Sequence, residues 1–317
     1  MTGSEQGYDR LPSDSGYHEV ADWTVLQLSG EDRVKFLQSF CTADINAMAP
    51  LEVREAFILN GKGKTLGHVH VLMLLDALLL VGAGGQSVAL MEHLEMYIIR
   101  DDVQIKDLSN STRSFLLTGK RAADGLADLF GTAPEQGMCQ TVGVEGGECH
   151  AAFAEFAGDC FWLGVPRLAV KDWVSHLAGA GFAPLSVETL AMCRLAKGTP
   201  WFGVETTADN LPQELNRDEK TISFTKGCYL GQETVARIDS LGRVNRLLVV
   251  LDFLNEEPLV GQELVMDGKP VGRVTSVGRS LNGVGWRALA FVKRDFASVG
   301  SIIGHGVVAP LQEPSGS

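Results

Sequence analysis

Apolar positions along this chain fall into two regimes. Up to about residue 240, extended and helical spacings alternate. Trp23 to Leu28 predicts a strand, and Glu31 to Phe40 predicts a helix with Val34, Leu37 and Phe40 on one face. Glu55 to Asn60 and Leu66 to Val81 predict strands; Asp76-Ala77 splits the second into a hairpin. Gln86 to Ile99 predicts a helix that buries Leu90, Met91, Leu94 and Ile98. Ser114 to Thr118 predicts a strand, and Arg121 to Phe130 a helix ended by Gly131. Cys149 to Glu155 and Phe161 to Val165 read as extended. Val170 to Ala178 reads as a helix, and Ser186 is the expected N-cap of another running from Val187 to Lys197 and stopped by Gly198.

Beyond Gly242 the pattern changes to short β-rich runs separated by Gly and Pro: Leu247 to Phe253, Glu263 to Met266, Pro270 to Val277, Arg287 to Val292 and Ser301 to Ile303. Such spacing predicts a small antiparallel barrel or sandwich. The fold class expected is α+β. Residues 1–16 are expected to be a flexible arm, 17–242 an α/β region, 243–310 a β-barrel and 311–317 a tail.

Composition narrows the function classes. The chain has 317 residues, 45% hydrophobic and 21% charged, which is ordinary for a globular protein of about two domains. The net charge of -12 repels a phosphate backbone on average, so no direct nucleic-acid partner is expected. The longest apolar stretch, Val69 to Val81, contains His70 and Asp76 and is too short to span a bilayer. The polar, acidic N-terminus has neither signal-peptide nor transit-peptide character, and a cytoplasmic location is expected. Six cysteines (41, 139, 149, 160, 193, 228) have no close metal-type spacing, which predicts reduced thiols and no metal site.

Most motif-like stretches read as ordinary structure. Gly61-Lys62-Gly63-Lys64-Thr65 lacks the upstream glycine of a phosphate loop, since Ile58 stands there, and reads as a β-turn. Gly82 to Gly85 lacks dinucleotide-loop spacing. His93-Leu94-Glu95 has no downstream cysteine pair and reads as a solvated helix face. One segment stands apart, Lys226-Gly227-Cys228-Tyr229-Leu230-Gly231-Gln232-Glu233, continuing to Arg237. It follows the run Thr221 to Phe224, expected to be extended, and precedes a short helix expected to start near Gly231. Gly227 would turn the chain and expose Cys228. The helix N-terminus and the Lys226 ammonium would then favour the thiolate. The residues alone equally allow Cys228 to be a small buried side chain. From Arg217 to Arg246, six basic residues (217, 220, 226, 237, 243, 246) face four acidic ones (218, 219, 233, 239). That local excess suits an anionic ligand or a solvated linker.

The octapeptide KGCYLGQE closely resembles the signature KGC(F/Y)xGQE of the YgfZ family, relatives of the glycine-cleavage T-protein, an aminomethyltransferase. Leu195 to Gly203, Leu211 to Asn216 and Ile222 to Phe224 resemble further family elements. So do Leu28 to Gln38, Thr42 to Asp44 and Gly272 to Ser276, all in the family's order. The resemblance covers roughly residues 20 to 305. It implies a T-protein-like three-lobed ring: two ferredoxin-like-related α/β lobes and a C-terminal antiparallel β-barrel around a central channel that binds tetrahydrofolate. It also implies a role in iron–sulfur cluster assembly or maintenance, with partners among iron–sulfur client enzymes, some of them tRNA-modifying, or cluster carriers. Cys228 is then the functional residue, with Lys226 lowering its pKa. Gly227 and Gly231 would shape the loop, Gln232 and Glu233 brace it, and Arg237 meet an acidic folate tail or fix the helix. Tyr229 and Asn60 fall within the same motifs and are counted with the folate-binding residues. Where the T-protein has an acid pair, this chain has Gly67 and His68. Where it holds the pterin ring with a glutamate, this chain has Trp162, which can stack but cannot accept N–H groups. A folate-dependent one-carbon transferase and a non-catalytic scaffold are the alternative expectations.

Overall fold

A computed structural model describes residues 15–311. In chain order the first half holds β1 (Gly16–Val20), β2 (Thr24–Ser29), α1 (Arg33–Gln38), β3 (Val53–Leu59), β4 (Thr65–Met73), β5 (Leu78–Gly82), α2 (Ser87–Glu95) and β6 (Gln104–Asp107). There follow β7 (Thr112–Thr118), α3 (Ala122–Phe130), β8 (Met138–Val144), β9 (Gly147–Ala154), β10 (Cys160–Pro166), α4 (Val170–Gly179), β11 (Ala183–Pro184) and α5 (Val187–Lys197). A 3-10 turn at Pro212–Leu215, α6 (Asp218–Thr221) and α7 (Gln232–Leu241) lead to the last strands. These are β12 (Arg246–Phe253), β13 (Glu263–Met266), β14 (Lys269–Arg279), β15 (Trp286–Lys293), β16 (Ile302–Ile303) and β17 (Gly306–Ala309).

The strands form three sheets. The first has the order β3-β4-β5-β2-β6 and is wholly antiparallel. Helices α1 and α2 cover one face, burying Phe36, Leu37, Leu90 and Leu94 against Leu26, Leu28, Val69 and Val71. The second has the order β11-β1-β7-β10-β9-β8. Leu126 of α3 and Trp173 and Leu177 of α4 cover its outer face through Phe115, Leu117 and Leu163. The remaining faces meet in a shared core of Val25, Leu72, Leu79, Val81, Leu116, Ala152 and Trp162. Burial on both faces explains why β4 and β5 read as nearly continuous apolar runs rather than as alternation. The third sheet, β13-β14-β15-β12-β17-β16, curls until its edge strands β13 and β16 meet, which closes most of a barrel.

Local signals behave as their chemistry requires. Ser186 Oγ accepts from Thr189 N, and Gly198 ends α5 at φ 64°. The β4–β5 hairpin turns where expected, with Leu74 N donating to Ala77 O at 2.9 Å. Three readings differ. Most of the expected arm and tail lies outside the described residues, but Gly16 opens β1, which pairs with β7 across the chain. Strands β6, β8 and β17 were not anticipated; β6 and β8 are sheet edges with exposed positions and little apolar alternation. The extended run expected over Thr221 to Phe224 is instead the last residue of α6 followed by irregular chain.

The barrel is bound to the α/β region through a buried polar knot. Arg194 Nη1 donates to Glu205 Oε2 at 2.9 Å, and its Nη2 donates to Ser276 Oγ at 2.6 Å. Thr275 and Ser276 both donate to Glu205 Oε1. Two of the family-like segments, around Leu195 to Gly203 and Gly272 to Ser276, are therefore halves of one junction. Among the described residues no helix is long and apolar enough to cross a membrane.

Candidate functional site

A cavity of about 620 Å³ opens between the two α/β sheets beside the chain that leads into the signature loop. Its wall is charged: Asp44, Arg54, Glu55, Glu155, Glu219 and Lys220 line it, together with His70 and the backbone around Gly137. Under that wall runs a continuous ion network. Arg217 precedes α6 and donates from Nε and Nη2 to the two oxygens of Glu55 on β3, both at 2.5 Å. Its Nη2 also reaches Glu155, just past β9, at 3.0 Å. His68 Nε2 meets Glu55 Oε1 at 2.6 Å, and Lys220 Nζ meets the other oxygen of Glu155. Glu55 belongs to the first sheet and Glu155 to the second, so Arg217 latches the two lobes together directly beneath the cavity.

The electrostatics follow from burial and pairing. Burial alone would raise the Glu55 carboxyl, but the Arg217 guanidinium and the bond from His68 outweigh it and hold it well below the usual carboxylate range. For Glu155 burial likewise pushes upward, and Arg217 and Lys220 together win. Desolvation works against the Arg217 charge, yet the two carboxylates raise its pKa further. His70 is different: desolvation dominates and lowers it to about 3. Burial also lowers His150 to about 4 and raises Asp218 to about 6.

These shifts predict an acid-labile fold. His70 and His150 stay neutral in the folded chain, while the unfolded chain protonates near pH 6.5. Below that pH the unfolded state binds more protons, so stability falls as pH drops from about 6.5 towards 4. At pH 5 each histidine removes on the order of 2 kcal/mol. Asp218 acts in the opposite sense, because its raised pKa binds a proton in the folded state first; it returns roughly 1 kcal/mol. Urea unfolding at pH 7 and pH 5 should show a net loss of about 3 kcal/mol, and His70→Phe should remove about 2 kcal/mol of it. Equal stability at the two pH values would contradict this account.

The signature loop is built differently from the sequence expectation. Lys226 points inward, and its Nζ donates to the carbonyls of Gln38, Cys41 and Ala43 at 2.7, 2.9 and 2.6 Å while lying over the Tyr229 ring. Its ammonium is anchored on the segment 38–43, so it is not the group expected to act on Cys228. Tyr229 is buried in the joint between the loop, β3 and the barrel, with Phe57, Leu59 and Leu248, and does not line the cavity. Gly227 has an ordinary backbone conformation with open space around it, so no glycine is required there. Gly231 does need to be glycine: its φ is 83°, and a Cβ would stand 2.7 Å from Asn60 O. It packs against the β3–β4 turn, as expected an ordinary turn, where Asn60 Oδ1 accepts from the backbone N–H groups of Lys62 and Lys64. The Asn60 side-chain oxygen is thus committed to the turn, and Asn60 does not line the cavity.

Bracing comes from Leu230 N donating to Ser39 O and from Thr234 Oγ1 donating to Lys62 O. Gln232 and Glu233, expected to brace the loop, make no side-chain hydrogen bond to it, and Arg237 is exposed on α7. Cys228 itself is exposed, three residues before the N-cap of α7. Ser223 and Thr225 form the cavity rim, but Cys228 lies outside the lining. Trp162 is fully buried between the sheets with its Nε1 donating to Ser114 Oγ at 3.0 Å, so it cannot stack on a ligand. All six cysteines are free, and among the described residues no group of three or more His, Cys, Asp or Glu could hold a metal.

Reasoning from sequence missed the cavity residues themselves, Glu55, His70, Glu155 and Lys220, and the Arg217 latch beneath them. A faint signal existed. Glu55 stands on β3 beside a run of four apolar residues, and His68 and His70 share one face of β4 by period 2.

Two α/β lobes that enclose a charged cavity between them, with a C-terminal barrel docked on one side, define a T-protein-like architecture. The solved structure of the glycine cleavage system aminomethyltransferase T from Bartonella henselae has this fold, with a TM-score of 0.83 at 19% identity, covering 95% of this chain and 86% of that one. The profile of the GCVT N-terminal domain matches residues 3–224. The chain belongs to that family, within its YgfZ branch. The "tRNA-modifying protein YgfZ" of Colwellia psychrerythraea is 25% identical over 248 residues, 78% of this chain and 74% of that protein. Its Yersinia enterocolitica counterpart is 27% identical over 245 residues, covering 77% and 73%. The "Putative transferase At1g60990, chloroplastic" of Arabidopsis thaliana is 29% identical over 299 residues, 89% of this chain but only 66% of that protein.

Proposed function

We propose that this protein binds tetrahydrofolate in its central cavity and serves the assembly or maintenance of iron–sulfur clusters in client enzymes, including tRNA-modifying ones. The observation that carries the reading is the cavity: about 620 Å³ at the lobe junction of a T-protein-like ring, within the range of small-molecule sites. The chemistry of the wall fits a folate. Asp44 and Glu219 can accept N–H groups, Lys220 at the mouth can meet an acidic tail in exchange for Glu155, and one buried ring nitrogen of the wall, on His70, is unpartnered. Bound folate would supply the capacity to carry one-carbon groups. Cys228 presents an exposed thiol on the adjoining loop, suited to meeting a partner rather than the cavity occupant. Such partners would be iron–sulfur clients or cluster carriers, met in the cytoplasm.

Calorimetric titration should give one tetrahydrofolate site per chain, weakened several-fold by Lys220→Ala and unaffected by Cys228→Ser. In cells lacking the protein, Cys228→Ser should fail to restore cluster-enzyme activity while Lys62→Ala restores it. Full rescue by Cys228→Ser would remove the thiol from the function, and absence of folate binding would remove the cofactor.

A one-carbon transferase is the second reading, favoured by Asp44, which lines the cavity and makes no ion pair among the described residues. Against it, His68 stands where the acid pair is expected and is committed to Glu55. Turnover of a methyl or aminomethyl donor with tetrahydrofolate would establish it.

A further inference from the structure

The cavity wall contains one polar group that the protein does not satisfy. His70 lies on β4, is 5% exposed and lines the cavity. Its ring rests on Phe156 with centroids 4.1 Å apart and planes at 44°. Its Nε2 is buried without a hydrogen-bond partner. The neighbouring groups are already committed. His68 is bonded to Glu55, and Glu55 to Arg217. Glu155 is shared by Arg217 and Lys220, and Arg54 serves Glu52 and the carbonyls of Asp44 and Ala47. Buried side-chain polar atoms rarely lack a partner, and an orphan beside a cavity marks the place where an occupant completes the bonding.

We propose that His70 is a ligand-binding residue of the central cavity, hydrogen-bonding the ring of a flat, uncharged nitrogen heterocycle of the pyrimidinone type and so setting the specificity of the site. Burial keeps the imidazole neutral at working pH. Its Nε2 therefore donates in one tautomer or accepts in the other, and pairs with either a carbonyl or a ring nitrogen of such a heterocycle. A protonated histidine would offer donors only. Phe156 backs the ring, and because Nε2 has almost no accessible surface of its own, a small turn of the imidazole is what brings it to an occupant. The inference rests on the folate reading in one respect, that a pterin ring is such a heterocycle.

The test is calorimetry on the full chain with tetrahydrofolate, 6-methylpterin and guanine, using wild type, His70→Phe and His70→Gln, with melting temperatures of each protein alone. Phenylalanine keeps the stack on Phe156 and deletes both ring nitrogens. His70→Phe should weaken tetrahydrofolate about tenfold, the equivalent of one hydrogen bond. His70→Gln should recover most of that loss. The melting temperature of His70→Phe without ligand should equal or exceed that of wild type, because no bond is lost. Unchanged affinity in His70→Phe would overturn the assignment and leave the folate reading intact. A lowered melting temperature with unchanged affinity would make His70 a packing residue. Should wild type ignore tetrahydrofolate yet take guanine or 6-methylpterin in a His70-dependent way, the folate reading falls and His70 stands. Binding of none of the three would overturn both.

Discussion

Arg217→Met is expected to lower the free energy of unfolding by about 3–5 kcal/mol, the largest effect of any single substitution at this site. The guanidinium is buried and satisfies both oxygens of Glu55 and one of Glu155. Methionine fills similar space but leaves two carboxylates facing each other across the lobe junction. In the wild type Arg217 is the chief cause that holds both carboxyls down against burial; without it, burial and mutual repulsion push both upward. The expected consequence is a reversal of the local pH dependence: the variant gains stability on mild acidification, as Glu55 and Glu155 take up protons. Adding Glu55→Gln to Arg217→Met should recover part of the loss, because it removes one of the stranded charges. Guanidinium unfolding of the single and double variants at pH 7 and 5 measures all of this. A loss below about 1 kcal/mol would show that the latch contributes specificity of lobe arrangement rather than stability.

Lys226→Met should cost about 2–4 kcal/mol, because three backbone carbonyls lose a charged donor inside the protein. All three follow α1 or end it, so Lys226 acts as a cross-strut between residues 38–43 and the signature loop. Burial depresses the ammonium's pKa, with Cys41 and Asp44 acting against that, yet the three acceptors give the charge its place. Cys228→Ser, by contrast, changes an exposed side chain and should alter stability by no more than about 0.5 kcal/mol. The pair of variants separates two roles that adjacency in the signature conflates. Proteolysis of the loop and thiol-labelling rates at Cys228 should both rise in Lys226→Met. If Lys226→Met kept wild-type stability and only the labelling rate changed, the lysine would act on the thiol after all.

The loop illustrates what residue order conveys and what it does not. Gly231 is legible because a backbone constraint acts locally: a positive φ and a 2.7 Å approach admit only glycine. Lys226 was misread because two residues of separation from Cys228 suggested proximity, whereas its partners stand more than 180 residues earlier. Trp162 was misread for a related reason. Alignment by motif gave its place on β10, but not that this face of the strand meets the first sheet. The cavity latch could not be paired from sequence because Glu55 and Arg217 lie 162 positions apart and neither segment names the other.

The amino-acid sequence by itself determined most of the longer helices and strands, the β4–β5 hairpin, the caps of α5, the barrel's place at the end of the chain and, through one octapeptide, the family. These depend on period, turn chemistry and local backbone constraint, which act over a few residues. Only the tertiary structure decided that the lysine of the signature is a strut, that Trp162 is core, and that Glu55, His70 and Glu155 share one cavity above the Arg217 latch. Those facts depend on which faces of distant elements meet. A hydrophobic period shows that a face is buried, but it carries no record of what lies opposite.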